Sequence, residues 1–352
     1  MSVVGGAGVP VRAAVLGAGS WGTTFAAVLA DAGCQVAVWG RDARVCAQIT
    51  TRHTNEAYLP GVRLPDAVTG EPDLAACVAG ADLVAVAVPS QSARAVLRPL
   101  AGRLGPRTVV VSLMKGVELT TDQLMSQMLS ETLLVSADRI AVVSGPNLAH
   151  EIAARQPTAT VVAATSPVTA DRVAAACASS YFRPYTNADV VGVELCGAVK
   201  NVIALAVGIA QGRGLGFNTM ATLITRGLTE ITRLGLALGA QPATFGGLAG
   251  MGDLMATCAS PDSRNHQLGT YLGQGATLAD ALVATGGTAE GVMTARPVRE
   301  LARRMGVDMP ITEAVASVLD GALSVDELAV QLLSRPRKAE HTGTVPVVRT
   351  GQ

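Results

Sequence analysis

The residue best suited to proton transfer is a lysine in an apolar segment. Lys200 lies within GVELCGAVKNVIA at residues 192–204, where the other polar residues are Glu194 and Asn201. A buried lysine is costly unless it is paired or used, and desolvation lowers its pKa toward the range of a general acid. Lys200 is therefore a candidate catalytic group, and the alternative is a structural ion pair, with Glu194 as a partner.

A second candidate is an aspartate in a segment rich in glycine. Asp253 lies in GGLAGMGDL at residues 246–254. Small residues on this loop let the backbone approach a ligand or Lys200 closely. The alternative is an aspartate that caps the next helix, which is a common role for this residue type.

Phosphate recognition is indicated where Ser-Arg-Asn-His at residues 263–266 opens a helical stretch. Ser263 is a good N-cap, and the helix N-terminus with Arg264 and Asn265 beside it suits a phosphate dianion. The alternative is a capped surface helix with one exposed arginine.

A dinucleotide site is indicated by GAGSWG at residues 17–22, which joins an apolar strand to an Ala-rich helix. Gly17 permits the tight turn, Gly19 lets the backbone approach a pyrophosphate, and Gly22 allows the helix to pack closely on the strand. The free N–H groups of the helix N-terminus would hold the phosphates. The alternative is an ordinary glycine-rich turn, which the strand–turn–helix context disfavours.

The end of the second strand bears on which dinucleotide is bound. The strand ends Trp-Gly-Arg-Asp at residues 39–42. Arg41 could stack on adenine and meet a 2′-phosphate, whereas Asp42 falls late for the acid that binds a ribose 2′-hydroxyl. NADPH is therefore favoured and NADH stays open, and the alternative for Arg41 is a solvated surface charge.

Polar groups follow three more predicted strands, in VPSQ at 88–91, LMKG at 113–116 and SGPN at 144–147. Ligands of open α/β sheets bind at the carboxyl ends of parallel strands. Lys115 ends a strongly apolar run, which disfavours a purely solvated lysine.

Two kinds of segment must position these residues. Strands are predicted at 13–16, 35–39, 82–88, 108–112, 140–143, 159–163 and 182–185, and they alternate with helices. Helices are predicted at 192–211, 218–238, 278–285, 294–305 and 311–319, with almost no strand signal among them. The pattern predicts an α/β Rossmann-like domain with a mainly parallel sheet at 11–191, an all-α domain at 192–335 and a disordered tail at 336–352.

Composition excludes several classes of function. The chain has 352 residues, 27 basic and 27 acidic, so its zero formal net charge argues against non-specific binding to nucleic acid or anionic membranes. Six scattered cysteines and four histidines lack metal-site spacing, which predicts buried thiols in a reducing cytoplasm and no metal. The apolar run at 202–210 is shorter than the about 20 residues that span a bilayer, and the N-terminus lacks a signal-peptide pattern.

Together these motifs resemble the bacterial NAD(P)-dependent glycerol-3-phosphate dehydrogenase family over nearly the whole chain, from about residue 11 to about residue 335. The matching segments are GAGSWGT at 17–23, VPSQ at 88–91, SLMKGVE at 112–118, SGPNLA at 144–149, the long run at 194–235, LAGMGDLMATC at 248–258, SPDSRN at 260–265 and AEG at 289–291. The order and number of the motifs make a chance match very improbable.

The resemblance implies a reaction and its site. It implies reversible reduction of dihydroxyacetone phosphate to sn-glycerol 3-phosphate, which feeds glycerophospholipid synthesis. Lys200 matches the proton donor to the ketone oxygen, with Asp253 orienting it and Lys115 adding positive potential. The positions that match substrate contacts are Lys115, Gly145, Asn147, Lys200, Asn201, Asp253, Ser263, Arg264 and Asn265. The positions that match dinucleotide contacts, beside the glycines of residues 17–22, are Ser20, Trp21, Arg41, Lys115, Ala149, Arg264, Thr288 and Glu290.

The chain departs from the family pattern at four positions, where Leu148, Phe217, Met220 and Thr288 replace the usual Phe, Asp, Lys and Val. None of these removes a candidate catalytic group. Two rival functions are a related β-hydroxyacid dehydrogenase and a catalytically silent dinucleotide sensor; the presence of the lysines disfavours the second. A homodimer is expected from the resemblance and the apolar C-terminal helices.

Overall fold

The computed structural model describes residues 10–286 and 289–328. Its first half alternates strands and helices, and its second half is helical. The strands are β1 (Arg12–Leu16), β2 (Gln35–Trp39), β3 (Val68–Glu71), β4 (Leu83–Val86), β5 (Val109–Ser112), β6 (Ile140–Ser144), β7 (Thr158–Ala164) and β8 (Phe182–Asn187). The helices among them are α1 (Ser20–Asp31), α2 (Ala43–Arg52), α3 (Leu74–Val78), α4 (Ser90–Leu97), α5 (Met125–Leu133), α6 (Ala149–Ala153) and α7 (Pro167–Cys177).

The strands form one sheet in the order β3-β2-β1-β4-β5-β6-β7-β8. Neighbouring strands run parallel, except that β7 is antiparallel to β6. The chain leaves β1 toward β2 and β3 and then returns to the other side of β1 to form β4. This reversal opens a crevice at the carboxyl ends of β1 and β4, where open α/β sheets bind ligands.

Strands covered on both faces explain the apolar runs in the sequence. In β1, Ala13 and Val15 join the core on one face of the sheet, while Ala14 and Leu16 join the core on the other. Phe25 of α1 packs in the first core and Met128 of α5 in the second. The period-two alternation therefore divides each inner strand between two helix layers.

The predicted strands are found with their ends shifted, and one strand was missed. The strand predicted at 82–88 is shorter, because Pro89 leads directly into α4. The missed strand β3 has the sequence VTGE and lies at the edge of the sheet, where half-exposed residues give no apolar pattern. The mainly parallel Rossmann-like sheet followed by a helical half is as predicted.

The second half packs around one long helix. Its helices are α8 (Val190–Gly212), α9 (Phe217–Ala237), α10 (Pro242–Phe245), α11 (Asp253–Ala259), α12 (Arg264–Gly273), α13 (Leu278–Ala284), α14 (Glu290–Arg304) and α15 (Pro310–Leu319). The helix predicted at 294–305 thus begins a turn earlier, ahead of Pro297. Val117 and Leu124 from the segment between β5 and α5 are buried in the same core as α8, so the sheet half and the helical half share an interior.

Glycines bring α8 and α12 into close contact. A Cβ atom at Gly208 would lie 2.1 Å from the carbonyl oxygen of His266, and one at Gly269 would lie 2.3 Å from that of Leu205. Side chains at these positions would force the helices apart. The crossing therefore places the first turn of α12 beside the middle of α8.

The apolar part of α8 is longer than the run at 202–210, which the sequence analysis judged too short to span a bilayer. Within the described residues it is the one helix long and apolar enough, by length and composition alone, to cross a membrane, although 89% of its most apolar window is buried inside the protein. Packing in the core of the helical half accounts for this composition. The six cysteines are free and buried, as predicted. Thr288 and the tail at 336–352 lie outside the described residues.

Candidate active site

The glycine turn, residues 17–22, has a backbone that only glycine allows at two positions and that is open at a third. Gly17 has φ +125°, and a Cβ there would lie 2.7 Å from the carbonyl oxygen of Ala87. A Cβ at Gly22 would lie 2.0 Å from the carbonyl oxygen of Gly17, whereas a Cβ at Gly19 would meet nothing within 4 Å. Helix α1 begins at Ser20 without a side-chain cap. The open face at Gly19 and the uncapped helix end fit a dinucleotide pyrophosphate.

Two lysines share one buried carboxylate at the junction of the two halves. Lys115 lies three residues after β5, and its Nζ donates to Asp253 Oδ2 at 2.6 Å and to the carbonyl oxygen of Gly145 at 3.1 Å. Lys200 Nζ donates to the other oxygen, Asp253 Oδ1. Asp253 is 1% exposed and Lys200 is 7% exposed. The carboxylate therefore compensates two ammonium groups in a site nearly closed to water.

Lys200 forms an ion pair, as one alternative expected, but its partner is Asp253. The suggested partner Glu194 and the suggested capping role of Asp253 are not found. Glu194 is not the partner of Lys200, because its carboxylate accepts from the backbone N–H of Ser126 at 2.8 Å and from Ser126 Oγ. Asp253 is not an N-cap, because the N-cap of α11 is Gly252. The residues before it form a π-helical turn, Leu248–Gly252, rather than a loop.

Thr257 also contacts Lys200, and the sequence analysis did not identify it as a site residue. Its Oγ1 accepts from Lys200 Nζ at 2.7 Å and donates to the carbonyl oxygen of Asp253 at 2.7 Å. Since Thr257 follows Asp253 by four residues, the two side chains share one face of α11. That spacing is a signal in the sequence, but it becomes visible only once 253–259 is known to be helical.

Burial governs the protonation of Lys200. Desolvation is the largest influence on its pKa and lowers it; Asp253 acts in the opposite direction, and Lys115 lowers it further. The pKa of Lys200 therefore lies below its ordinary value. An ammonium group poised in this way can give up its proton, as a general acid must.

A chain of side-chain amides joins three helices beside the lysines. Asn201 Nδ2 donates to the carbonyl oxygens of Lys115 and Gly197, each at 3.4 Å. Asn265 Nδ2 donates to Asn201 Oδ1 at 3.0 Å, and Asn265 Oδ1 accepts from the backbone N–H of Gly291 at 2.9 Å. The amide of Asn265 is thus engaged at both its nitrogen and its oxygen.

Asn147 lies at the carboxyl end of β6. Its Nδ2 donates to Thr160 Oγ1 at 2.9 Å, while its buried Oδ1 has no partner among the described residues. Gly145 before it has φ +146° and turns its carbonyl oxygen to Lys115. The turn therefore brings a backbone oxygen to the lysine cluster, and the buried acceptor of Asn147 follows two residues later.

The start of α12 has the predicted cap. Ser263 Oγ accepts from the backbone N–H of His266 at 3.3 Å. Arg264 follows on an exposed surface. Burial raises the pKa of Glu290, against the opposing effects of its hydrogen bonds with Ser90, whose Oγ donates at 3.0 Å, and of the charge of Arg264. The predicted phosphate site therefore acts electrostatically on a residue of the predicted dinucleotide site.

Other predicted dinucleotide contacts lie along the same edge of the sheet. Thr24 Oγ1 on α1 donates to the carbonyl oxygen of Ala149 at 3.3 Å, and Trp21 Nε1 is buried without a partner among the described residues. Arg41 follows β2, three strand spacings from β5, or about 14 Å across the sheet from the end that carries Lys115. The structure thus gathers the lysines, Asp253 and the amides, and places Arg41 at a distance that suits the far end of a long ligand.

Comparison with known proteins identifies the family. Residues 12–170 match the model of the NAD-dependent glycerol-3-phosphate dehydrogenase N-terminus, and residues 189–330 match that of its C-terminus. A relative from Streptomyces griseus, named glycerol-3-phosphate dehydrogenase [NAD(P)+], is 60% identical over 331 residues, which cover 94% of this chain and 98% of the relative. The chain belongs to the NAD-dependent glycerol-3-phosphate dehydrogenase family.

Solved structures agree with this membership. The glycerol-3-phosphate dehydrogenase of Coxiella burnetii is similar with a TM-score of 0.88 and 36% identity, covering 93% of this chain and 99% of that one. The yeast enzyme from Saccharomyces cerevisiae is similar with a TM-score of 0.80 and 29% identity, covering 92% and 99%. The resemblance drawn from the motifs is confirmed, and the chain is an NAD(P)-dependent oxidoreductase that acts on a CH–OH group.

Proposed function

We propose that this chain reversibly reduces dihydroxyacetone phosphate to sn-glycerol 3-phosphate and so supplies glycerophospholipid synthesis in the cytoplasm. The observation that carries the proposal is the cluster of Lys200, Asp253, Thr257 and Lys115, in which two lysines meet one carboxylate beside the carboxyl ends of the strands. A ketone held there faces a proton donor and a second positive charge.

In this mechanism Lys200 Nζ donates a proton to the ketone oxygen. A bound NAD(P)H would provide the hydride that the carbonyl carbon accepts. Asp253 and Thr257 hold the ammonium of Lys200 in place through its other N–H groups, and Lys115 stabilises negative charge as it develops on oxygen. Since these groups are fixed before reaction, little reorganisation is required of them.

We propose that the phosphate of the substrate binds at the start of α12. Arg264 is exposed there, and the first backbone N–H groups of the helix, including that of Asn265, face the same end. Binding energy from this remote group orients the ketone toward Lys200. Asn147, Gly145, Ser263 and Asn201 complete the proposed substrate contacts.

We propose that the dinucleotide binds to the domain of residues 11–191 and that the substrate is held mainly by the domain of residues 192–335. The glycine turn with Ser20 and Trp21 takes the pyrophosphate side. The other proposed dinucleotide contacts are Lys115, Ala149, Arg264 and Glu290, together with Thr288, which lies outside the described residues.

NADPH is the proposed preference over NADH. The carboxylate of Asp42 caps α2 by accepting from the backbone N–H of Arg44 at 2.9 Å, and it also pairs with the Arg44 side chain at 2.8 Å. It is therefore occupied where an acid would bind a ribose 2′-hydroxyl. Arg41 is exposed beside it and suits a 2′-phosphate.

A homodimer is proposed on the surface where α9 begins. Phe217 is 85% exposed and Leu215 is 42% exposed, which places apolar surface in water unless another molecule covers it. Light scattering measures the oligomeric state: the native protein should be a dimer and Phe217→Asp a monomer. A monomeric native protein would contradict the proposal.

The deciding experiment is an absorbance assay of nicotinamide oxidation with dihydroxyacetone phosphate. Native protein should oxidise NADPH faster than NADH, and Lys200→Ala should lose at least about a thousandfold in kcat while it still binds NADPH. Arg303→Ala on the surface of α14 serves as the control. Binding of NADPH without oxidation by the native protein would reject the reaction.

A further inference from the structure

The loop between α2 and β3, residues 53–64, is folded against the glycine turn. The backbone N–H of Leu59 donates to the carbonyl oxygen of Asn55 at 2.8 Å, and that of Leu64 donates to the carbonyl oxygen of His53 at 2.7 Å. Leu59 and Leu64 are 0% and 1% exposed. The loop is therefore closed on itself and anchored in the core, which gives it a fixed position beside the turn.

One side chain of the loop reaches into the turn itself. Asn55 is completely buried, and its Nδ2 donates to the carbonyl oxygen of Ala18 at 2.9 Å and to Thr23 Oγ1 at 2.8 Å. A second contact runs the other way, since Ser20 Oγ donates to the carbonyl oxygen of Tyr58 at 2.6 Å. Both N–H groups of the Asn55 amide are thus used to hold the turn and the first turn of α1 together.

The contact at Ala18 has a consequence for the next residue. In a trans peptide the C=O of one residue and the N–H of the following residue point in opposite directions. With the Ala18 oxygen held against Asn55, the N–H of Gly19 must point away from the loop. Gly19 is also where added atoms would meet open space.

Glycine makes this peptide easy to rotate. Gly17 and Gly19 flank Ala18, and glycine adopts many backbone conformations at little steric cost. A rotated Ala18–Gly19 peptide would present a carbonyl oxygen to the phosphates in place of an N–H donor. Repulsion between that oxygen and an anionic pyrophosphate would weaken binding.

We propose that Asn55 is a positioning residue that locks the Ala18–Gly19 peptide, so that the Gly19 N–H faces the pyrophosphate of the dinucleotide. The inference rests on the proposed dinucleotide site. It adds a residue outside the glycine turn, and it assigns residues 53–64 the role of holding that turn ready before the ligand arrives.

The test is Asn55→Asp, which keeps the shape of the side chain and removes its N–H donors. At alkaline pH the dissociation constant for NADPH, measured by fluorescence titration without ketone, should rise about tenfold or more, because a carboxylate repels the Ala18 oxygen. At acidic pH the protonated carboxyl group can donate again, and the affinity should return toward that of the native protein. At saturating NADPH, kcat and KM for dihydroxyacetone phosphate should change by less than about twofold.

Gln48→Ala is the matched control. Gln48 Oε1 accepts from the backbone N–H of Glu56 at 3.2 Å, so it holds the same loop but makes its contact at a point that does not touch the glycine turn. Its NADPH affinity should equal that of the native protein. The amide chemical shifts of Gly19 without ligand should move in Asn55→Asp, because its peptide reorients, and should be unchanged in Gln48→Ala. Equal weakening by the two variants, or native affinity in Asn55→Asp at alkaline pH, overturns the proposal.

A second variant covers the case in which Asn55→Asp does not fold. Thr23→Val keeps the volume at Thr23 and removes one of the two acceptors of the Asn55 amide, so NADPH should bind several-fold more weakly. Unchanged affinity in this variant also overturns the proposal. Since binding is measured without ketone, native protein that binds NADPH but does not reduce dihydroxyacetone phosphate would reject the reaction and leave this test intact.

Discussion

At the scale of single residues, the chemistry depends on what surrounds each charge. Lys200 and Lys115 are the same residue type, yet Lys200 is buried in α8 and Lys115 lies at a strand end, partly open to solvent. Asp253 contacts both, so a change in the charge of one lysine alters the electrostatic environment of the other. The residue type was visible in the sequence, whereas the shared carboxylate was not.

Thr257→Val should separate positioning from packing at this cluster. The hydroxyl accepts from the Lys200 ammonium and so favours its charged form; its loss should lower the pKa of Lys200 further. Reduction needs the protonated lysine, so the alkaline limb of the pH–rate profile should move to lower pH by about half a unit to one unit, and kcat should fall about tenfold.

Thr232→Val is the control for this change, because the Thr232 hydroxyl bonds only within α9, to the carbonyl oxygen of Leu228. Its pH–rate profile should superimpose on that of the native protein. A profile that does not move in Thr257→Val would remove Thr257 from the mechanism.

At the scale of elements, the site depends on how closely two helices cross. The middle of α8 carries Lys200 and Asn201, and the start of α12 carries Asn265 and the proposed phosphate site. Their glycine contacts set the distance across which Asn265 and Asn201 bond. A helix crossing that looks purely structural therefore has a functional result.

Gly208→Ala should test this dependence. Its Cβ would lie 2.1 Å from the carbonyl oxygen of His266, which is backbone and cannot swing aside. We expect a loss of about 1–3 kcal/mol in the free energy of unfolding and a raised KM for dihydroxyacetone phosphate, since α12 must shift. Urea unfolding and steady-state kinetics measure the two effects.

The comparison for this variant is Gly246→Ala directly after α10, where the nearest atom to the added Cβ would be the carbonyl oxygen of Ala243 at 4.0 Å. Its KM should stay at the native value. A native KM in Gly208→Ala would show that the spacing of α8 and α12 does not govern phosphate binding.

At the scale of the whole molecule, buried carboxylates cap helices from neighbouring elements. Glu230 of α9 is 1% exposed and accepts from the backbone N–H of Ile311 at 2.6 Å and from that of Thr312 at 3.2 Å, at the start of α15. Burial raises its pKa to about 7, against the opposing effects of these hydrogen bonds and of Arg233. Glu194, which bonds to Ser126 across the two halves, likewise has its pKa raised to about 7 by burial.

These raised values predict how stability depends on pH. A carboxyl group whose pKa is higher in the folded state binds more protons there, so its contribution is full below the unfolded pKa of about 4.5 and is lost as pH rises through about 7. The free energy of unfolding should therefore fall between about pH 5 and pH 8, by about 1–3 kcal/mol from Glu230.

Glu230→Gln should make this dependence less steep and leave the part due to Glu194, because the amide oxygen of the new side chain can still accept from Ile311 but does not titrate. Glu300→Gln, at a more exposed position on α14, should leave the slope as it is in the native protein. Urea titrations across the pH range measure both variants. A slope that is the same in Glu230→Gln as in the native protein would exclude Glu230 as its source.

Features that depend on neighbouring residues were predictable from the amino-acid sequence. The apolar runs, the glycine turn at 17–22 and the serine cap at 263 each act within a few residues, so their spacing predicted the Rossmann-like half, the uncapped α1 and the start of α12. The family motifs named the lysines and Asp253 because their order along the chain is itself a pattern. The edge strand β3 was not predicted, because its half-exposed residues do not form an apolar run.

Which side chains contact each other across the fold was not predictable from the sequence. Lys200 bonds Asp253 and not Glu194, although Glu194 is far closer along the chain, because the direction of a side chain on a helix and the packing of α11 set the partner. Asn55 reaches Ala18 across 37 residues for the same reason. Contacts between distant segments depend on how whole helices and strands pack together. The pattern of neighbouring residues does not reveal that packing, so these contacts could not be predicted from it.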